Sequence, residues 1–217
     1  MIDFRNINFS KIFTPFNFIL VGIFATSLYA IYISYSNWAT LNKITQAAPG
    51  HVIQVTEAPA NLTVTLFYDY QCPFCYQIDP IVRTAAEQDG EVELLFKFLP
   101  FFGERSEKMG YMAFAAGQQG KFLEVHDYFI EHGNRPYEDE DIKEMTSALG
   151  LDHDRFVKDM NSSAAKQKIE ENMSLAMSLG VYSTPTLYMA RDFFVPQGGM
   201  PDEEKIKELF DQARQRL

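Results

Sequence analysis

Two cysteines, Cys72 and Cys75, are the only ones in this chain of 217 residues, and they constrain its fold more than any other feature. They lie in "FYDYQCPFCYQ", after a β-branched and aromatic segment that predicts a buried strand over 63–70. Apolar residues at helical spacing follow from Pro73 to about Gln88, and a second strand is predicted over 91–99. Strand, helix and strand in this order indicate a βαβ unit with two parallel strands.

The spacing of the cysteines is typical of a pair that opens and closes. Residues three apart on a helix have Cβ atoms about 5–6 Å from each other, which is near the separation that a disulfide requires. Pro73 is tolerated in the first helical turn, so Cys72 is expected at the helix N-terminus, where free N–H groups and the dipole stabilise a thiolate. Cys75 lies a turn deeper and is expected to be less accessible. We therefore expect Cys72 to exchange with substrate and Cys75 to resolve the mixed disulfide.

Three other interpretations of the pair fit the sequence less well. A structural disulfide across two residues closes a very small loop and removes little chain entropy. A zinc site needs a second pair of ligands, and one C-x-x-C supplies only half of the tetrahedron. Inert buried thiols are disfavoured by Pro73 and by the strand-to-helix position. We favour redox chemistry, with no metal and no bound cofactor.

The remainder of the chain supplies a helical region and then more strands. Residues 104–179 are predicted to be helical throughout, whereas "HVIQVT" at 51–56 predicts a first short strand. Strands are predicted again at "TLYM" and "FFV", flanking a turn at 190–192, and an amphipathic helix is predicted over 201–217.

Three further side chains carry predictions of their own. His126 lies at the edge of an apolar helical stripe, so we expect a half-buried packing residue rather than a ligand. Phe101 and Phe102 follow the second strand of the βαβ unit, and we expect them to pack under the helical region rather than to line a substrate groove.

An apolar segment near the N-terminus predicts a membrane anchor. Phe16–Tyr35 is 20 residues without a charge, which suffices to cross a hydrocarbon core about 30 Å thick. Arg5 and Lys11 precede it and Lys43 follows it, so the positive-inside bias places the N-terminus in the cytoplasm and the remainder outside. The alternative is a signal peptide cleaved near Ala25–Ser27, but the apolar run continues well past that point. Both alternatives deliver the cysteines to an oxidising compartment.

The charge distribution excludes one class of partner. The formal net charge is −10, and residues 1–50 carry three basic side chains against one acidic, which leaves −12 on the rest. An acidic body without a basic stripe does not bind nucleic acid, because phosphates require Lys and Arg.

Three stretches together resemble the DsbA-like branch of the thioredoxin superfamily, over about residue 50 to the C-terminus. They are "DYQCPFC", "GKFLEVHDYFIEH" and "VYSTPTLYM". The resemblance implies an α/β thioredoxin fold with an inserted all-helical subdomain over about 104–179, preceded by one N-terminal transmembrane helix. The expected organisation is a cytoplasmic N-terminus at 1–15, a transmembrane helix at 16–35, a linker at 36–50 and the DsbA-like domain at 51–217.

The resemblance also implies an activity and partners. It implies a thiol–disulfide oxidoreductase that introduces disulfides into cysteine-containing exported proteins through a redox-active Cys72–Cys75 disulfide. A quinone-linked membrane oxidase would reoxidise it, and the anchor would lie in the inner (cytoplasmic) membrane with the domain facing the periplasm or extracytoplasmic space. Pro185 would be cis and face the cysteines, and Thr184 would pair with an extended substrate. Pro73 and Phe74 complete the expected support of the active site.

Two departures from the family pattern bear on the chemistry. Relatives commonly place a buried acid six residues before the first cysteine, where this chain has Leu66, and strand alternation puts Asp69 on the opposite face. Phe74 stands where relatives carry histidine, so we expect a less extreme thiol pKa and a reduction potential midway between about −270 and −120 mV. Two alternative functions remain open: a disulfide reductase or isomerase, and a non-catalytic membrane-tethered binding or chaperone module.

Overall fold

The computed structural model describes residues 15–45, 52–54, 59–133 and 135–217. The described residues fall into two compact units, which divide between residues 43 and 44. Within these residues the helices are α1 (Pro15–Thr45), α2 (Pro73–Asp89), α3 (Glu104–Gln118), α4 (Phe122–His132), α5 (Asp139–Ala148), α6 (His153–Met160), α7 (Ser163–Ser178) and α8 (Glu203–Arg214). The strands are β1 (Val52–Gln54), β2 (Leu62–Tyr68), β3 (Val92–Phe98), β4 (Thr186–Met189) and β5 (Asp192–Phe194).

The apolar N-terminal segment forms α1, which is long and apolar enough to cross a membrane. Its candidate span covers Ile19–Thr45 with a mean hydropathy of 1.6. Apolar side chains such as Ile23, Phe24 and Tyr29 are exposed around the helix, as expected of a helix that meets lipid. The helix extends ten residues past the predicted span, so 36–45, predicted as linker, are helical. The orientation prediction from Arg5 and Lys11 lies outside the described residues.

A five-stranded mixed sheet forms the centre of the second unit, in the order β1-β3-β2-β4-β5. β2 and β3 are parallel, as the βαβ prediction requires, and Leu66 pairs with Phe96. β4 lies antiparallel on the other side of β2, where Leu66 pairs with Leu187. β1 and β5 are antiparallel edge strands. Residues 51, 55 and 56 of the predicted first strand lie outside the described residues.

α2 begins and ends where its sequence indicates. Cys72 is the N-cap residue, with extended backbone angles, and Pro73 occupies the first helical position, where its missing N–H is not needed. Gly90 ends the helix with φ of 81°, a left-handed conformation that glycine adopts without strain, and its N–H bonds to the Ala86 carbonyl. The cysteine pair is therefore fixed at the first turn of a helix that follows directly after β2.

The segment between β3 and β4 is helical in all its regular structure among the described residues, as predicted. Its helices α3 to α7 share one apolar core with the sheet and α2. Alternate residues of β2 and β3, such as Val64, Leu66 and Phe96, enter the same cluster as Phe122 and Phe129 of α4. The insertion meets the buried side of the cysteine helix where His126 of α4 contacts Asp79 of α2.

Candidate active site

The cysteines differ in their position on α2 even though both are buried. Cys72 is 2% exposed at the N-cap, and Cys75 is 0% exposed within the first turn. Both are free thiols. The Cys75 N–H donates to the Cys72 carbonyl at 3.0 Å, which closes the turn between them. Phe74 lies between the cysteines and points outward, 57% exposed.

The environment of Cys72 favours its thiolate. The pKa of Cys72 is lowered from 9.0 to about 6, and the largest cause is the hydrogen bond from the Cys75 thiol. The backbone N–H groups of Cys75 and Phe74 and a contribution from Thr184 act in the same direction. Together these effects outweigh burial, which raises the pKa. Cys72 is therefore mostly ionised at neutral pH.

The pKa of Cys75 is shifted in the opposite direction. Burial is the first cause, and the hydrogen bond to Cys72 and the negative charge of Cys72 add to it, so the pKa of Cys75 lies well above its usual value. Cys75 therefore keeps its proton while Cys72 is a thiolate. The pair holds one nucleophile and one protonated thiol side by side, which is the state that thiol–disulfide exchange starts from in the reducing direction.

The loop before β4 reaches the cysteine pair from the other side. The Thr184–Pro185 peptide bond is cis, as the resemblance implies. The Cys72 Sγ lies 3.2 Å from the Thr184 carbonyl oxygen, to which the protonated form of the thiol donates. The pairing of β4 with β2 places this loop beside the start of α2. Cys72 and Thr184, which are 112 residues apart in sequence, are therefore brought together.

Asp69 ties the loop between β2 and α2 to the loop after β3. It is 2% exposed, and its carboxylate accepts from the Gln71 N–H at 2.8 Å, the Ser106 hydroxyl at 2.7 Å and the Phe101 N–H at 2.8 Å. The Phe102 N–H is a weaker donor at 3.4 Å. Burial raises the pKa of Asp69, and these donors partly offset that effect. Sequence analysis placed Asp69 by strand alternation but gave it no role.

The anchored loop does not pack as predicted. Phe101 is 36% exposed and Phe102 is 57% exposed, so the prediction that they are packed under the inserted helices is wrong. The backbone of both residues is fixed by Asp69, which leaves their side chains directed outward.

A buried polar network lies behind the cysteine helix, and sequence analysis missed it. His126 is 0% exposed rather than half-buried; its Nδ1 lies 2.9 Å from the Tyr70 hydroxyl and its Nε2 lies 3.0 Å from Asp79 Oδ1. Asp79, on α2, is 1% exposed. The sequence held a signal for this network, because Asp79 falls on the apolar face of the helical pattern of α2. A carboxylate on a buried helical face requires a buried partner.

The chemistry available to this site is that of two thiols. Within the described part of the chain, no group of three or more His, Cys, Asp or Glu side chains is arranged to hold a metal ion. A mixed sheet with a dithiol at the start of the helix after its central strand, facing a cis-proline loop, defines a thioredoxin-like protein with a redox-type cysteine pair.

Comparisons with known proteins agree with this class. A model of the DSBA-like thioredoxin domain matches residues 63–208, so the chain belongs to the DSBA-like thioredoxin domain family. The thiol:disulfide interchange protein DsbA of Pseudomonas aeruginosa is 26% identical over 158 residues, covering 70% of this chain and 74% of the relative. A thioredoxin-like oxidoreductase from Silicibacter pomeroyi DSS-3 has a crystal structure that matches with a TM-score of 0.69 at 26% identity, covering 80% of this chain and 97% of that one.

A relative with a different name also matches a part of this chain. The Na(+)/H(+) antiporter NhaA 3 of Salinispora tropica is 30% identical over 143 residues, which is 64% of this chain. This chain spans only 21% of the length of that antiporter, so the likeness is confined to a part of it.

Proposed function

We propose that this chain is a membrane-anchored protein-disulfide oxidoreductase that introduces disulfides into exported proteins through Cys72, Pro73, Phe74 and Cys75. The observation that carries the proposal is the position of the dithiol: Cys72 caps α2 with its Sγ 3.2 Å from the carbonyl oxygen of Thr184, at the cis Thr184–Pro185 bond, and Cys75 is fully buried within the first turn. This environment lowers the pKa of Cys72 and raises that of Cys75. An ionised Cys72 stabilises the reduced enzyme, and a stabilised reduced form makes the disulfide form an oxidant.

The reaction follows from the position of each sulfur. A substrate thiolate attacks Cys72 in the Cys72–Cys75 disulfide, forming a mixed disulfide while the electron pair of the broken bond passes to Cys75. The second substrate thiolate then attacks the substrate sulfur of the mixed disulfide, which forms the substrate disulfide and releases Cys72 as a thiolate. Two electrons pass from substrate to enzyme. Cys72 is a good leaving group because its thiol pKa is low.

Thr184 and Pro185 are assigned to substrate alignment. The cis Thr184–Pro185 bond presents backbone next to Cys72, whose Sγ lies 3.2 Å from the Thr184 carbonyl oxygen. An extended substrate segment pairing with this backbone brings its own cysteine sulfur towards Cys72. Pro73 starts the helix, and exposed Phe74 offers an apolar contact to the substrate.

The proposed partners are cysteine-containing exported proteins and a quinone-linked membrane oxidase that restores the disulfide. The proposed location is the inner (cytoplasmic) membrane, with α1 as a single-pass anchor and the catalytic domain in the periplasm or extracytoplasmic space. Support comes from the apolar length of α1 and from the similarity to a thiol:disulfide interchange protein.

Trapping of mixed disulfides in intact cells tests the proposal. The Cys75→Ala variant of the full chain lacks the resolving thiol, so it should accumulate covalent adducts at Cys72 with exported proteins that contain cysteines. Cys72→Ser is the matched control, because it keeps Cys75 and removes only the exchanging sulfur, and it should trap nothing. Absence of adducts from Cys75→Ala, with the protein folded and present in the membrane, would contradict the proposal.

The direction of the reaction is tested separately by redox titration against glutathione. We expect a reduction potential midway between about −270 and −120 mV, because the pKa of Cys72 is lowered without a histidine at position 74. A value near the lower limit, together with a mostly reduced state in cells, would instead favour a reductase or isomerase.

A further inference from the structure

Two loops leave the sheet at the same edge and meet beside Cys72. β2 and β3 are parallel, and their last residues, Tyr68 and Phe98, are paired in register. One further backbone bond joins the Leu99 N–H to the Tyr68 carbonyl at 2.9 Å. The loop that leads to Cys72 and the loop at 99–103 therefore start side by side.

Asp69 joins these two loops through its backbone and its carboxylate. On the cysteine side, its Oδ1 accepts from the Gln71 N–H at 2.8 Å, and its carbonyl accepts from the Cys72 N–H at 3.1 Å. On the other side, its Oδ2 accepts from the N–H groups of Phe101 at 2.8 Å and Phe102 at 3.4 Å. One buried residue thereby fixes the backbone of the exchanging cysteine and the backbone of the neighbouring loop.

Packing does not account for a buried carboxylate at this position. Burial raises the pKa of Asp69, because it disfavours the charged form, and the Ser106 hydroxyl at 2.7 Å is a further donor that offsets part of this effect. The residues that Asp69 fixes are not part of the core, because the rings of Phe101 and Phe102 are exposed. The structure therefore uses a buried charge to hold two exposed aromatic residues next to the loop that carries Cys72.

The segments that meet at Cys72 carry no charge on their surface. Residues 70–76, 99–103 and 180–189 contain no Asp, Glu, Lys, Arg or His, although the chain as a whole has a net charge of −10. The third segment includes Thr184, whose carbonyl oxygen lies 3.2 Å from the Cys72 Sγ. A charged side chain beside a substrate cysteine would find no partner in these segments, whereas an apolar one would leave water against the exposed rings.

We propose that Asp69 is a positioning residue for substrate selection: it holds Phe101 and Phe102 beside Cys72, so that the site prefers a substrate cysteine with an apolar neighbour in its chain. The inference rests on the proposed thiol–disulfide exchange and narrows its substrate class. Phe101 and Phe102 contact the substrate segment while Cys72 exchanges with its sulfur. Asp69 does not touch the substrate and acts through the loop at 99–103.

Two synthetic peptides test the selection. Both are uncharged, equally long and contain one cysteine, and they differ only in the residue after it, which is Phe in one and Ser in the other. Each is mixed with the oxidised full chain in lipid nanodiscs, and acid quenching with mass spectrometry gives the rate at which the adduct at Cys72 forms. We expect the Phe peptide to react about tenfold faster, because its ring is partly buried against the loop.

The ratio of the two rates separates positioning from stability. Intrinsic reactivity of Cys72 and the folded fraction affect both peptides equally, so they cancel. In Asp69→Asn the amide has one oxygen and its nitrogen does not accept, so one of the two loops loses its acceptor whichever way the amide is turned. The ratio should therefore fall to about twofold or less. A wild-type ratio in folded Asp69→Asn would overturn the proposal.

Ser106→Ala is the matched control for Asp69→Asn. It removes a buried donor to the same carboxylate but leaves the backbone donors of both loops in place. It should lower the melting temperature and keep the wild-type ratio. If Ser106→Ala lost the ratio to the same extent as Asp69→Asn, a general loss of stability would explain both, and the role given to Asp69 would be overturned.

Two measurements do not depend on the folding of Asp69→Asn. Phe102→Ser changes an exposed ring and should lower the ratio directly, whereas Phe193→Ser, at an exposed phenylalanine on edge strand β5, should keep it. In the wild type, the amides of Phe101 and Phe102 should exchange slowly with deuterium in spite of their exposed rings, because Asp69 accepts from both. An unchanged ratio in Phe102→Ser, or exchange at the rate of an unstructured peptide, would overturn the proposal.

The same assay distinguishes this inference from the proposed function. If the wild type reacts with both peptides at equal rates, the selection is overturned and the oxidoreductase proposal stands. If the wild type reacts with neither peptide nor with the small thiol 2-mercaptoethanol, the exchange reaction is overturned and the selection falls with it.

Discussion

Removal of the inner thiol should raise the pKa of Cys72 by a predictable amount. The hydrogen bond from the Cys75 thiol is the largest of the effects that lower this pKa from 9.0 to about 6. Cys75→Ala deletes that donor from a site that is 0% exposed, so no water replaces it directly. The backbone N–H groups of residues 74 and 75 and the contribution of Thr184 remain in the variant.

The expected size of the shift follows from the strength of the lost bond. A hydrogen bond to a charged group contributes about 1.5–3 kcal/mol. At 1.36 kcal/mol for each pKa unit, this corresponds to about one to two units. The pKa of Cys72 should therefore move from about 6 to between about 7 and 8 in Cys75→Ala.

The rate of iodoacetamide alkylation as a function of pH measures this pKa, because only the thiolate reacts. Cys75→Ser serves as the control, since its hydroxyl remains a donor at the same position and should keep the midpoint within about one unit of the wild type. A midpoint that stays near 6 in Cys75→Ala would refute the reasoning. It would assign the stabilisation of the thiolate to the helix N-terminus alone.

Two further predictions concern stability. In the reduced protein, the pKa of Cys72 is about 6 when folded and 9.0, its ordinary value, when unfolded, so the unfolded state binds more protons between these values. The free energy of unfolding should therefore rise with pH between these two values in urea titrations of the reduced protein, and this contribution should be absent from the oxidised protein. Equal pH dependence of the two forms would contradict it. Asp69→Asn weakens the acceptor of four hydrogen bonds and should lower the free energy of unfolding by about 2–3 kcal/mol in the same assay. Asp211→Asn changes an exposed side chain and should alter the free energy of unfolding by no more than about 0.5 kcal/mol. Equal losses in the two Asn variants would contradict the role given to Asp69.

The sequence was sufficient for the features that depend on local pattern. β2, α2 and β3 occupy the predicted places because strand and helix periodicity are properties of neighbouring residues. The all-helical region after β3 and the return to strands at β4 follow for the same reason. The helix start at Pro73 was predictable because a proline in the first turn has a local steric cause.

The features that the sequence did not reveal depend on contacts between distant residues. His126 meets Asp79 across 47 residues, and Asp69 meets Phe101 across 32. Helical spacing placed His126 at the edge of a stripe, but only the packing of α4 against α2 decides that the edge is fully buried. The extension of α1 through Thr45 was not predicted, because the predicted span was limited to a run of uncharged residues. A helix can continue through charged residues, as α1 does through Lys43.

The buried network changes the role of the inserted helices. His126 belongs to α4, and it contacts both Tyr70, two residues before Cys72, and Asp79, four residues after Cys75. The insertion therefore does more than cover the sheet, because it supplies the only imidazole among the described residues that hydrogen-bonds to α2.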